Sequence, residues 1–190
     1  ANEFQGYSKS LIATTLFASN ILFWTQSGYY EGLSQLKPLL HTWSLAIEEQ
    51  YYIFFPLLLV FLVRYFRPKL ALALLGFALA SFAMNLYGMN QDSSGAFYLA
   101  HMRIWELLMG SLLATKSVPT KTNPYIRNLL SLLGLTMIIV PVFLYTSDTP
   151  FPGFAATIPT LGTALIIYSG VETKSFAGRI LGFNALVFIG

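Results

Sequence analysis

The sequence predicts an all-α fold, a polytopic bundle of transmembrane helices, and three observations carry the prediction. Hydrophobic residues make up 55% of the 190 positions and charged residues only 10%, against roughly a quarter charged in ordinary soluble domains. The mean hydropathy is +0.62, and the apolar residues gather into runs near the roughly 20 residues that a helix needs to cross about 30 Å of hydrocarbon. No period-2 alternation of the kind a membrane barrel requires is present.

Five full spans are expected, at 44–63, 70–86, 97–114, 129–145 and 151–171, with the start of a sixth at 182–190. Arg67, Pro68 and Lys69 separate the first two. The third is polar at its start, where His101, Arg103 and Glu106 stand, and apolar at its end. Pro141 and Pro159 interrupt the fourth and fifth, where a missing N–H kinks a helix. Residues 10–24 are shorter and carry Thr14, Thr15, Ser19 and Asn20, a pattern that suggests an interfacial helix at the outer leaflet, with a true span as the alternative. Residues 28–37 have the composition of a loop.

Loop charges set an orientation. The loops after successive spans hold Arg64, Arg67 and Lys69; then only Asp92; then Lys116, Lys121 and Arg127; then only Asp148; then Lys174 and Arg179. This alternation is the positive-inside pattern, and it predicts that the loops at 64–69, 115–128 and 172–181 are cytoplasmic in a multi-pass protein of the bacterial inner membrane. The 11 basic residues and pI near 9.1 gather on no nucleic-acid-reading motif, so no nucleic acid is expected as a partner. Membrane lipid is. There is no cysteine, which removes disulfides, thiolate chemistry and cysteine zinc sites.

The most specific stretch is Pro38-Leu39-Leu40-His41-Thr42-Trp43-Ser44-Leu45-Ala46-Ile47-Glu48-Glu49-Gln50-Tyr51-Tyr52. On a helix His41, Ser44 and Glu48 share one face, and an ionisable cluster on a membrane helix marks a candidate functional site. The plainer reading is the polar entrance of a span, with Trp43, Tyr51 and Tyr52 as interfacial aromatics. By the predicted orientation this end lies at the same outer depth as His101, Arg103 and Glu106, so the two can converge. Arg103 has two candidate partners, Glu106 on its own helix and Glu48 across helices. A histidine held by a carboxylate is a usual base for a hydroxyl, a pairing His41 and Glu48 can make. Ser44 can act as a nucleophile, although a helical serine more often bonds back to a carbonyl. Trp43, Trp105, Tyr29 and Tyr30 can stack on a sugar. With two histidines and no HExxH spacing, no metal site is predicted. No phosphate-binding glycine loop occurs, and no bound cofactor is expected.

The segment from Pro38 through Pro56 resembles the signature of the membrane acyltransferase-3 family, the bacterial O-antigen and peptidoglycan O-acetylases, with His41, Trp43, Ser44, Glu48, Gln50, Tyr52 and Pro56 on the pattern and Tyr51 where Phe is usual. Ala96-Phe97-Tyr98 with Arg103 to Gly110, and Thr149 to Gly153 with Pro159 to Leu165, are similar to two later family segments. The resemblance implies an integral membrane O-acyltransferase moving acetyl from acetyl-CoA or another acyl-CoA to a hydroxyl of a cell-envelope glycan, polysaccharide or lipid-linked sugar. The shared face and the matching segments together make His41, Glu48 and Arg103 the candidate catalytic residues and Trp43, Ser44, Gln50, Tyr52, Trp105 and Glu106 the candidate substrate-binding ones. In the family the catalytic histidine stands on an earlier helix, absent here, and on that view His41 and Glu48 line or support the site. The resemblance also implies that 1–190 is an internal part of one transmembrane acyltransferase domain. A transporter or flippase of a lipid-linked sugar, built around Pro56, Pro141 and Pro159, is the alternative, though the two related halves it requires are not evident.

Overall fold

A computed structural model of the chain describes residues 2–27, 39–115, 117, 123–171 and 175–189. Among them the secondary structure is helical throughout, in ten α-helices. They group into two compact units, Ala1–Leu108 and Met109–Gly190.

The first unit opens with α1 (Asn2–Thr15) and α2 (Ser19–Ser27). The single interfacial helix expected over 10–24 is therefore two. α1 ends in a Schellman turn: Ala18 N–H donates to the Ala13 carbonyl at 2.8 Å and Phe17 N–H to that of Thr14 at 3.1 Å. Phe17 takes the left-handed position with φ 54°, where glycine is usual and a side chain is strained. Nothing in the composition of 10–24 signals such a break.

α3 (Thr42–Phe66) runs 25 residues through Pro56. A 3-10 turn, Arg67–Lys69, with Pro68 early in it, leads into the 22 residues of α4 (Leu70–Gln91). Asp92 then caps α5 (Ser93–Tyr98), its Oδ1 accepting from Gly95 N–H at 2.8 Å. Leu99 is extended (φ −84°, ψ 127°) and separates α5 from α6 (Ala100–Ala114), so the span expected at 97–114 is a 15-residue helix preceded by a corner.

In the second unit Asn123 caps α7 (Pro124–Leu144), with Pro124 at the first helical position and Pro141 inside the helix. Turns at 151–156, which hold Pro152 and Gly153, precede α8 (Thr157–Gly170). Proline and a glycine at φ 37° favour turn over helix there, and the expected fifth span shrinks to 14 residues. α7 and α8 meet backbone to backbone: a Cβ on Gly134 would lie 2.6 Å from the Gly162 carbonyl oxygen, and one on Gly162 2.7 Å from that of Gly134. α9 (Phe176–Leu181) is tied to α7 by bonds from Phe176 N–H to Asn128 Oδ1 and from Ala177 N–H to Ser131 Oγ. The sixth expected span is the short α10 (Asn184–Ile189).

Two helical segments, Thr42–Gln91 and Pro124–Leu144, are long and apolar enough to cross a membrane. α6 and α8 fall short of the roughly 20 residues that a crossing takes, so of the five spans expected from hydropathy those at 44–63, 70–86 and 129–145 fall on these two segments among the described residues. Large apolar side chains on them face outward, including Phe54, Leu57 and Val60 of α3 and Val142, Phe143 and Leu144 of α7, each at least 66% exposed.

Candidate functional site

The first unit gathers polar groups at one end of α3, and helix periodicity decides what each does. At about 100° per residue, Thr42, Trp43, Ala46, Ile47 and Gln50 form one side of α3, and His41, Ser44 and Glu48 the other. Thr42, Ala46 and Ile47 are buried, whereas His41 and Leu45 are exposed and Ser44 and Glu48 partly so. The side that packs is thus opposite the side that carries the ionisable residues.

The packed side is held by directional bonds. Ser19 Oγ donates to the Thr42 carbonyl at 2.9 Å, and the hydroxyls of Thr14 and Thr42 lie 3.1 Å apart. Gln50 Nε2 donates to the Phe17 carbonyl at 2.7 Å and to Asn20 Oδ1 at 2.9 Å, and Asn20 Nδ2 in turn donates to the Tyr98 carbonyl at 3.0 Å. Ser19 and Asn20 are almost wholly buried. Their polarity, expected to mark a membrane surface, serves instead to tie α2 to α3 and α5. Gln50, expected to bind substrate, spends its amide on the α1–α2 turn.

Arg103 completes the junction of α3 with α5 and α6. Its guanidinium carbon lies 5.4 Å from the centre of the Trp43 ring and 5.6 Å from that of Phe97, with the two rings themselves 4.5 Å apart. Its Nη2 donates to Glu106 Oε2 at 3.0 Å and its Nε lies 2.7 Å from Glu106 Oε1, an ion pair carrying one aligned hydrogen bond. Of the two candidate carboxylates Arg103 pairs with Glu106 and not with Glu48, and the cause is simple: Glu48 points away from α6 while Trp43 points toward it. The two polar helix ends do converge, through Trp43 and Arg103 rather than through His41 and Glu48.

Around this core Trp105 packs edge-on against Phe82 with ring centres 4.8 Å apart, its buried Nε1 without a hydrogen-bond partner among the described residues. The Ser81 hydroxyl donates to the His101 carbonyl at 2.8 Å and accepts from Trp105 N–H at 3.2 Å, which joins α4 to α6. Asn85 Nδ2 donates to the Ala96 carbonyl and Trp24 Nε1 to Asp92 Oδ2. Sequence reading took Ser19 and Asn20 only as polar positions of an interfacial helix and gave Ser81 and Asn85 no role. The available signal was polar residues in otherwise apolar helices, which in a water-poor interior need partners.

On the outward side, Ser44 Oγ bonds back to the His41 carbonyl at 3.3 Å, the arrangement expected of a helical serine. The His41 ring and the Glu48 and Glu49 carboxylates make no side-chain hydrogen bond or ion pair among the described residues, so His41 and Glu48 do not hold one another. Tyr52 is 59% exposed on the same side. Tyr29 and Tyr30 lie outside the described residues, as does the 28–37 loop. Among the described residues no three His, Asp or Glu side chains are grouped to hold a metal ion. In the second unit a cavity of about 220 Å³ beside Met137, Pro141 and Tyr145 is apolar, and the Tyr145 hydroxyl there already donates to the Ala155 carbonyl at 2.7 Å.

A protein of Haemophilus influenzae, named only as uncharacterized, is 31% identical over 179 residues, covering 88% of this chain and 73% of that protein. The chain belongs to the family of this Haemophilus protein. Other relatives are longer. A Staphylococcus aureus strain COL protein named "Putative O-acetyltransferase" is 30% identical over 194 residues, which cover 95% of this chain and 32% of that one. The O-acetyltransferase OatA of strain NCTC 8325 is 26% identical over 196 residues, covering 96% and 32%. The chain spans about a third of the length of these two staphylococcal relatives. Their names agree with the acyltransferase resemblance carried by the three sequence blocks. No family model matches, and no solved structure does.

Proposed function

We propose that the chain is part of a polytopic membrane O-acyltransferase of the acyltransferase-3 type, which transfers acetyl from acyl-CoA to a hydroxyl of a cell-envelope glycan. The observation that carries this reading is the outward side of α3, where His41, Ser44 and Glu48 stand together at the end of a long apolar helix, in a segment that aligns with relatives named for O-acetyl transfer. Apolar helices with exposed Phe, Leu and Val along their length suit lipid rather than water. Ionisable groups that meet no side-chain partner among the described residues suit, on such a helix, a substrate-facing role.

In the reaction the acetyl group is carried across the membrane core from acyl-CoA inside to the acceptor outside. On the donor side the thioester C–S bond breaks as a new bond to the acyl carbon forms. On the acceptor side the sugar hydroxyl oxygen attacks that carbon, a C–O bond forms, the bond to the carrying group breaks, and the hydroxyl proton passes through a base to the departing group. His41 and Glu48 are placed to orient an acceptor or to relay that proton, and Tyr52 and Ser44 to contact the sugar. Arg103, Glu106 and Trp105 in this reading hold α6 against α3 and keep Trp43 in place. The basic loops at 64–69, 115–128 and 172–181 face the cytoplasm and the acyl-CoA, and the His41 end of α3 faces the acceptor outside.

The test compares Glu48→Gln with Glu49→Gln for transfer of labelled acetyl to envelope glycan, at matched abundance in the membrane. Glu48 shares the side of His41 and Ser44, while Glu49 is turned about 100° away. Glu48→Gln is expected to lose tenfold or more, roughly 1.4 kcal/mol of barrier, and Glu49→Gln to be milder. Equal tolerance of both removes Glu48 from the site. A wild-type protein that moves lipid-linked sugar across vesicles without acetylating it would be a flippase.

A further inference from the structure

We infer that Gln50 is a positioning residue that fixes the rotation of α3 about its own axis, and with it the direction in which His41, Ser44 and Glu48 are presented. The inference rests on the acetyltransferase reading of that side of α3. Gln50 lies nine residues after His41, about 180° around the helix, so it acts from the back of α3 on the front. Apolar packing is non-directional, and the side of α3 that packs holds the small residues Thr42 and Ala46, which allow a helix to roll as well as to approach. Directional bonds remove that freedom. Both hydrogens of one amide are used, toward Phe17 O at 2.7 Å and Asn20 Oδ1 at 2.9 Å. The buried Asn20 cannot turn to follow a moving partner, because its own Nδ2 is bound to the Tyr98 carbonyl at 3.0 Å. The Ser19–Thr42 bond holds α3 about 12 Å away along the axis, eight residues earlier. Two ties on one side, separated along the axis, fix both tilt and roll. The lower tie also grips the strained carbonyl of Phe17, so the α1–α2 reversal and the roll of α3 are set together.

The test uses the protein in membranes and the absence of native cysteine. Leu45→Cys probes the exposed side of α3 and Ile47→Cys the buried side. The ratio of their labelling rates with a small thiol reagent reports the roll. Gln50→Leu keeps the volume and removes both donors. It is expected to bring the labelling ratio toward one and, separately, to lower kcat about tenfold with KM for acyl-CoA unchanged. The exchanged pair Asn20→Gln with Gln50→Asn, which keeps the bonded chain of amides, is expected to restore much of both. If Gln50→Leu fails to accumulate, Gln50→Asn alone is read in the same way. An unchanged ratio overturns the proposal, whether kcat is retained or lost, and a lost kcat with an unchanged ratio would make Gln50 a substrate contact. The ratio does not depend on catalysis, so a wild-type protein that transfers no acetyl refutes the acetyltransferase reading while leaving the roll of α3 open to measurement.

Discussion

Arg103 shows how a single residue can be read correctly for its importance and differently for its task. Its position in an apolar helix demands a partner, and the choice between Glu106 and Glu48 turns on where the side chains of α3 point. With Glu106 paired to it and the adjoining Trp43 and Phe97 rings centred 5.4 and 5.6 Å from it, the guanidinium is held by its planarity as much as by its charge. Lysine keeps the charge and loses the Nη2 bond and the planar face that meets the two rings. Arg103→Lys is therefore expected to cost about 1–2 kcal/mol of stability, seen as a lower melting temperature in detergent, and Glu106→Gln to do likewise. An Arg103→Lys variant that melts normally and loses only acetyl transfer would place Arg103 at the substrate instead.

At the scale of elements, what was legible in the sequence was the apolar runs of α3, α4 and α7, with the boundary at Arg67–Lys69 good to a few residues and the start of α7, expected at 129, five residues late against Pro124. The breaks at Phe17 and Leu99 and the turns at 151–156 were not, because hydropathy averages over corners and a left-handed phenylalanine has no compositional signature. The candidate site was legible in the same measure. The shared side of His41, Ser44 and Glu48 follows from spacing alone, whereas the roles of Asn20, Gln50 and Ser81 depend on contacts between segments 20 to 78 residues apart in the chain. The α7–α8 pair offers a direct check on packing. Gly134→Ala puts a methyl group 2.6 Å from the Gly162 oxygen, which backbone cannot easily yield, and is expected to destabilise by about 1–3 kcal/mol. Gly76→Ala, where nothing lies within 4 Å, should be neutral or stabilising in the same melting assay.

For the molecule as a whole, orientation is the property that the function most needs. α3 and α4 are joined by the basic Arg67–Lys69 turn, and both Asp92 and His41 lie at the far ends of these helices. In the proposed topology single cysteines at Arg67 and Asp92 sit on opposite sides of the membrane. The first is expected to resist an impermeant thiol reagent added to intact cells, and the second to react. Labelling of Arg67→Cys from outside, with Asp92→Cys protected, would invert the topology and the direction of acetyl flow.

The glycine contact between α7 and α8 bears on how that pair responds to temperature. If the pair lies in a bilayer, as the proposed function has it, lipid tails are as apolar as the side chains they would replace, and the two helices gain little from the release of ordered water. Their association draws instead on dispersion between closely apposed backbones. Such an attraction exposes and hides almost no hydrated surface, and the heat-capacity change that weakens water-driven association on cooling is small. The α7–α8 pair should accordingly hold its strength in the cold, when contacts sustained by water release are losing theirs.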